Sequence, residues 1–135
     1  MITDILLGTD IVNLKRLSTI HQRFGLKFFQ RILTEAELLR CGDYNGENFI
    51  ERAGARIAAK EAVTKALGVG LNGLGWTKGL RWKDIEIISL PQQLPTVTLH
   101  TPQIGDQDLS TLRWKLSLSH DGGYATATAL GMVSE

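Results

Sequence analysis

A single cysteine, Cys41, in 135 residues excludes an internal disulfide and fits a reducing compartment. Formal net charge is only +1, from 15 Lys and Arg against 14 Asp and Glu. No global field therefore favours nucleic acid or a membrane surface, and attraction for an anionic partner must come from a local patch. No segment approaches the ~20 consecutive apolar residues of a membrane helix. Residues 1–7 lack the basic start and the long apolar run of a signal peptide. These absences lead to the expectation of a soluble, cytoplasmic protein with no nucleic-acid or membrane partner. Also missing are a CxxC pair, an HExxH helix, a Walker phosphate loop and a Ser–His–Asp signature. The glycine-rich stretch after Leu67 follows a helical pattern, which excludes a Rossmann fingerprint. With no internal repeat, low-complexity tract or linker, residues 1–135 read as one domain, long enough to bury a core without staples.

What is present is strongly patterned. Residues 5–12 are rich in β-formers around Gly8-Thr9-Asp10 and predict a strand. Asn13 is placed to cap a short helix running to about Arg23, which carries Lys15, Arg16 and Arg23 beside Leu14, Leu17 and Ile20. Gly25 interrupts, and Phe28, Phe29, Ile32 and Leu33 supply core or interface bulk. Thr34-Glu35-Ala36-Glu37 is a capping box that starts a new helix ending near Gly42. A long helix is predicted from about residue 48 to 67. Its second half is rich in alanine and closes on Gly68 as a C-cap. Glycines at 68, 70, 73 and 75 predict a loop. Residues 84–90, 96–101, 114–120 and 124–130 predict strands, and Asp121-Gly122-Gly123 joins the last two as an antiparallel hairpin. An initial strand, then helices, then strands indicates an α+β fold, with helices packed on an antiparallel sheet.

On the long helix, a 100° step puts Ala58, Ala59, Ala62, Val63, Ala66 and Leu67 on one broad face, with Lys60, Glu61, Thr64 and Lys65 opposite. Glu61 and Lys65, at i and i+4, are either a modest surface ion pair or a carboxylate and ammonium at an ion or phosphate site. Arg56 and Lys60 add cations at the same end, which suits either a polyphosphate or a solvated face. Asp10 interrupts an otherwise apolar strand, where a carboxylate is costly unless it is paired or metal-bound. Alternation along Leu116-Ser117-Leu118-Ser119-His120 puts His120 at the end of an apolar face, as a rim residue or as a phosphate or hydroxyl contact. His21 and His100 have no comparable setting.

Taken together and in this order, several motifs closely resemble the short bacterial 4′-phosphopantetheinyl transferases, the holo-[acyl-carrier-protein] synthases. They are Gly8-Thr9-Asp10-Ile11-Val12, Lys15-Arg16, Arg31-Ile32-Leu33-Thr34 with Glu37, Arg56 through Gly68, Trp82-x-Asp84-Ile85-Glu86-Ile87, and Leu116 through His120. The resemblance covers residues 5–130. It implies the 4′-phosphopantetheinyl transferase fold as a homotrimer with interfacial sites. It also implies Mg²⁺-dependent transfer of phosphopantetheine from coenzyme A to a serine of acyl carrier protein, for fatty acid biosynthesis, releasing adenosine 3′,5′-bisphosphate. By the same resemblance Asp10 and Glu61 hold the metal, and Lys65 sits at the phosphates. Arg56, Lys65, Gly68 and His120 bind coenzyme A, His120 from a neighbouring subunit, while Asp10, Glu61 and Lys65 form the catalytic set. Arg16, with Lys15, Arg23 and Lys27, docks the acidic carrier protein. The serine proton goes to Glu61 or to a water on the metal, and the sequence does not choose between them. A silent coenzyme A-binding or regulatory module of the same fold is the alternative. Departures from the family pattern are Asn13 for Glu, Gly54-Ala55 for Ala-Gly, Ile57 for Phe, Leu94 for Lys and Asp121 for Thr. Ile57 falls on the polar arc and is expected to meet ligand or a partner subunit. A long segment over residues 70–81 is expected to shape the mouth of the coenzyme A site.

Overall fold

The unbroken β-forming start of the chain makes a strand longer than its core pattern predicts: β1 spans Ile2–Asn13. The computed structural model describes residues 1–68, 71–72, 80–101, 103–104 and 107–134. Asn13 ends β1 and caps α1 (Leu14–Phe24), its side chain accepting from the Arg16 amide at 3.1 Å. The Leu14 amide, another donor left over at the helix start, reaches the Gly123 carbonyl at 2.9 Å. The cap explains why a short amide side chain suits position 13. Gly25, at φ 72°, does break the chain, but the bulky segment after it forms a helix of its own, α2 (Leu26–Ile32), which the pattern did not predict. Seven residues are too few for periodicity to declare a helix; burial of Phe29 and Ile32 holds it. Thr34 and Glu37 form the expected capping box on α3 (Glu35–Cys41).

The long helix α4 (Phe49–Leu67) runs through the middle of the molecule. It is followed by β2 (Leu71–Asn72), β3 (Leu80–Arg81), a 3₁₀ turn (Trp82–Asp84), β4 (Ile85–Ile88) and β5 (Thr96–Leu99). Then come β6 (Gln103–Ile104), β7 (Gln107–Asp108), β8 (Arg113–Asp121) and β9 (Tyr124–Ser134). The β8–β9 hairpin is as predicted, and β1 adds antiparallel on its far side, giving the order β1-β9-β8 with Asp10 opposite Ala127. β4 and β5 form a separate antiparallel pair. Within the stretch expected to be a loop, Leu71–Asn72 instead pairs in parallel with Leu80–Arg81. Residues 69–70 and 73–79, and with them most of the 70–81 segment, lie outside the described residues.

Alternation explains how α4 seats on the sheet. β9 turns Ala125, Ala127 and Ala129 toward the helix, each no more than 1% exposed, and β1 turns Gly8 toward it. A Cβ at Gly8 would lie 2.0 Å from the Ala62 carbonyl oxygen and 2.7 Å from the Ala66 nitrogen, so main chain meets main chain here and only glycine fits. At the other end, a Cβ on Gly54 would lie 2.5 Å from Leu14 Cδ2, so a larger residue there requires the Leu14 side chain to shift.

Helices and β4 cover the opposite side of α4, and this corrects two expectations. Lys60 is not on a solvated arc; it is fully buried, with its ammonium 2.6 Å from Glu37 Oε1. It also donates to the carbonyls of Ile32 at 2.8 Å and Trp82 at 3.0 Å, so all three of its protons are used. Glu37 accepts in turn from the amides of Thr34 and Ile87. Burial lowers the Lys60 pKa, and the Glu37 charge and hydrogen bond oppose that shift. Ile57 is likewise only 6% exposed and belongs to the core cluster with Phe29, Phe49 and Leu33, rather than lying on a free polar arc. Wheel geometry assigned these residues to a free face because it cannot show a second layer. His21 is structural, stacked on Tyr44 at 4.0 Å beside Phe29 and Phe49.

Candidate active site

Asp10 lies on the inner face of β1, two residues beyond the glycine contact, and α4 brings Glu61 and Lys65 to it one turn apart. The Asp10 side chain is 8% exposed and accepts from Lys65 Nζ at 2.7 Å, while the Lys65 side chain remains 57% exposed. The Lys65 pKa is raised, first by the hydrogen bond to Asp10. Glu61 is half-buried against Asp10, and its pKa is pushed up to about 8. The largest cause is burial, followed by the hydrogen bond to Asp10 and its charge, with Lys65 pulling the other way.

Two carboxylates, one buried and one half-buried, cannot both stay ionised beside one ammonium without cost. Among the described residues no donor reaches the buried Asp10 Oδ2, and a proton on Glu61 or a cation would satisfy the pair. Hard oxygen donors of this kind suit Mg²⁺, which binds through one or two carboxylates and completes its shell with water and phosphate oxygens. Among the described residues no group of three His, Cys, Asp or Glu side chains could enclose an ion. An ion at Asp10 and Glu61 would therefore depend on a ligand for the rest of its shell.

Gly68 stands three residues beyond Lys65 and ends α4 in the left-handed conformation, at φ 73° and ψ 25°, with its amide closing on the Thr64 and Lys65 carbonyls. Toward the N-terminal end of α4, Arg56 is 7% exposed and lines a concavity with Asn48, Glu51, Arg52, Ala55 and His120. His120 Nδ1 is 3.9 Å from Glu51 Oε2, so one chain already gathers Arg56 and His120 at one place. Asp121 beside it is exposed, at the end of β8.

Lys15, Arg16 and Arg23 are exposed on α1, and Lys27 is exposed on α2, so the basic surface spans two helices. Lys27 and Arg31 border a shallow apolar depression formed by Ile20, Phe24 and Phe28, with Phe24 62% exposed. The Arg23 guanidinium lies 5.6 Å from the Phe24 ring centroid. Phe24 and Arg31 were not foreseen as part of this surface. An aromatic residue immediately before the Gly25 break was the available signal.

Comparison with known proteins gives the same reading. The model of the 4′-phosphopantetheinyl transferase superfamily matches residues 6–129. A holo-[acyl-carrier-protein] synthase from Herpetosiphon aurantiacus is 39% identical over 127 residues, covering 93% of this chain and 96% of that protein. One from Koribacter versatilis is 40% identical over 125 residues, 91% of this chain and 94% of that protein. The crystal structure of the Helicobacter pylori holo-[acyl-carrier-protein] synthase in complex with coenzyme A matches with a TM-score of 0.72 at 30% identity, covering 92% of this chain and 97% of that one. A Bacillus anthracis holo-(acyl-carrier-protein) synthase in complex with CoA (3′,5′-ADP) matches with a TM-score of 0.75 at 29% identity, covering 96% of each chain. No helix among the described residues is long and apolar enough to cross a membrane. The chain belongs to the 4′-phosphopantetheinyl transferase superfamily, among the holo-[acyl-carrier-protein] synthases.

Proposed function

We propose that this enzyme transfers the 4′-phosphopantetheine group of coenzyme A to a serine hydroxyl of an apo acyl carrier protein in fatty acid biosynthesis, with Mg²⁺ as the resident ion. The observation that carries this reading is the meeting of Asp10, Glu61 and Lys65, with one carboxylate oxygen that no donor among the described residues reaches. In the reaction the serine oxygen bonds to the phosphorus that bears pantetheine, and the pyrophosphate bridge breaks. The serine proton passes to Glu61 or to water, and adenosine 3′,5′-bisphosphate leaves. There is little covalent work for the protein, so positioning and charge stabilisation dominate.

When bound at Asp10 and Glu61, Mg²⁺ supplies a positive charge for the pyrophosphate oxygens. Lys65 is long, exposed and already held toward this point, so its ammonium follows the charge that builds on the phosphoryl oxygens. Arg56 and His120 hold the nucleotide end, and the Gly68 turn borders the ligand. Arg16, Lys15, Arg23 and Lys27 steer a strongly acidic carrier protein to a nearly neutral enzyme through one local patch.

The reading extends to a homotrimer with sites between subunits, in a cytoplasm that keeps the buried Cys41 reduced. Its support is the outer face of the three-stranded sheet. Ile5, Leu7 and Ile11 are 57%, 65% and 60% exposed there, and the register sets Met132 and Leu130 beside the first two. An apolar face of this kind marks a surface that another chain covers.

The test is to mix the protein with apo acyl carrier protein, coenzyme A and Mg²⁺ and to record intact masses. One phosphopantetheine per carrier protein is expected, and Asp10→Ala and Glu61→Ala should each abolish it. Failure to load any carrier protein tried, or full activity in either variant, would reject the reading.

A further inference from the structure

Helix α1 ends weakly by its own backbone. It has 11 residues, a length at which an isolated helix is marginal in water. Gly25 stops it at φ 72° and ψ −167°, outside the left-handed cap conformation, and its amide reaches the His21 carbonyl over a long 3.3 Å. A side chain from the connection between α3 and α4 makes up the deficit. The Tyr44 hydroxyl donates to the same His21 carbonyl at 2.9 Å, and His21 Nε2 lies 2.8 Å from the Tyr44 carbonyl. A carbonyl only accepts, so the imidazole carries a proton on Nε2. The two rings stack at 4.0 Å and 17°, and Phe29 of α2 and Phe49 of α4 pack against both. His21 and Tyr44 thus exchange two hydrogen bonds and a ring contact.

Helical spacing says what this clasp orients. Leu14, Leu17 and His21 follow at i, i+3 and i+7 and form the inner stripe of α1, with both leucines buried. Arg16, Ile20 and Arg23 follow at i, i+4 and i+7 on the opposite arc. Each residue steps about 100°, so fastening the last member of the inner stripe fixes the direction of the outer one. Arg23 and Phe24 belong to the last turn itself. Across the Gly25 corner, Phe24 shares the apolar depression and its basic rim with Lys27, Phe28 and Arg31 of α2. Helix ends open at little cost, so a turn that presents docking residues needs a fastening from outside the helix.

We propose that His21 and Tyr44 are positioning residues for carrier-protein recognition: their clasp keeps the last turn of α1 ordered and holds Arg16, Ile20, Arg23 and Phe24 on one docking surface with Lys27 and Arg31. Neither side chain touches the partner or the reacting groups. The apparent affinity for carrier protein is that of the ordered surface multiplied by the fraction of molecules in which the turn is closed. The inference rests on the docking reading above and gives a role to two residues outside the basic patch.

Three conservative variants test it. Tyr44→Phe removes one hydroxyl and keeps the stacked ring. His21→Leu removes the Nε2 donor, and His21→Gln returns an amide donor at a similar reach. Isothermal titration reads the binding of apo acyl carrier protein and, separately, of coenzyme A, while amide hydrogen exchange follows residues 20–25. Tyr44→Phe and His21→Leu should each weaken carrier-protein binding by about three- to tenfold, the worth of one hydrogen bond, and His21→Gln should recover most of the loss. In kinetics the loss should fall on the KM for carrier protein, with kcat and coenzyme A binding within twofold of wild type. Exchange over residues 20–25 should quicken in Tyr44→Phe and His21→Leu and slow again when carrier protein is bound. Wild-type carrier-protein affinity in Tyr44→Phe would overturn the proposal, whatever His21→Leu does and whether or not exchange quickens. So would an equal fall in coenzyme A binding, the mark of a general loss of structure. Arg16→Ala separates this inference from the docking reading. If Arg16→Ala weakens carrier-protein binding and Tyr44→Phe does not, the clasp alone is refuted; if Arg16→Ala also leaves binding unchanged, the docking surface lies elsewhere and the inference falls with it.

Discussion

Glu37→Gln is the sharpest probe of how the site-bearing helix is held. The substitution keeps the shape of the side chain and removes the only counter-charge within 4 Å of the Lys60 ammonium among the described residues, in a place where both side chains are 0% exposed. Glu37 takes Lys60 and the Thr34 amide on Oε1 and the Ile87 amide on Oε2, so a glutamine must turn its NH₂ toward at least one donor. Breaking one side of a buried ion pair costs about 3–5 kcal/mol. At about 2.1 cal/mol/K per residue, the unfolding entropy of 135 residues is about 0.28 kcal/mol/K, so the melting temperature should fall by about 11–18 °C. Calorimetry on the wild type, Glu37→Gln, Lys60→Met and the double variant completes the cycle. The double variant should be less damaged than the sum of the singles, by at least about 2 kcal/mol. The sign of the pH effect is fixed as well. Burial already lowers the Lys60 pKa from 10.5, and losing Glu37 removes what opposes that shift. The deficit of Glu37→Gln is then full while Lys60 is charged in both states. It shrinks as pH rises through the folded pKa toward the unfolded one. A fall of under about 4 °C at neutral pH, with additive singles, would refute this account of Lys60.

Other outcomes follow from the same geometry. Gly8→Ala should cost several kcal/mol, since its Cβ meets the Ala62 main chain at 2.0 Å, and should lower kcat by displacing Asp10 while the KM for carrier protein holds; a wild-type melting temperature would contradict the close approach. The raised Glu61 pKa means that the metal-free fold keeps this proton from the unfolded value of 4.5 up to about 8, and loses the associated stability as pH rises through that window. Mg²⁺ binding at pH 7 should therefore release most of one proton per ion, fading as pH rises past about 8, as read by titration in buffers of different ionisation enthalpy. Arg16→Ala should raise the KM for carrier protein several-fold with kcat preserved, and an unchanged KM would move the docking surface elsewhere. Leu7→Arg should convert trimers to monomers in sedimentation and abolish transfer; an active monomer would rule out sites between subunits.

Much of this was legible in the chain because the signals were local. Asn13, the Thr34–Glu37 box, Gly68 and Asp121-Gly122-Gly123 act within four residues of themselves, and each sits where its chemistry predicted. Asp10, Glu61 and Lys65 were candidates from residue type and order, and the structure brings all three together. What was not legible depends on a second layer. Lys60 and Ile57 read as exposed because a wheel has one inside and one outside, whereas α4 is covered on both sides. Arg40 of α3 and Arg52 and Arg56 of α4 line one hollow, a juxtaposition across the turn between the helices that no spacing rule encodes. Helix α2 escaped because its length is shorter than two full helical repeats of the hydrophobic pattern.

The contact at Gly8 bears on how accurately a two-carboxylate site can be built. Asp10 and Glu61 are 51 positions apart, yet each hangs within a few bonds of main chains that touch at Gly8 and Ala62. Side-chain packing elsewhere adjusts through rotamers; here the separation is set by bond lengths and planar peptides, which hardly yield. The outer surface and the core of such a protein are free to diverge while position 8 stays glycine and position 62 stays small. The spacing of the two acids is then inherited from the backbone rather than re-optimised in each sequence.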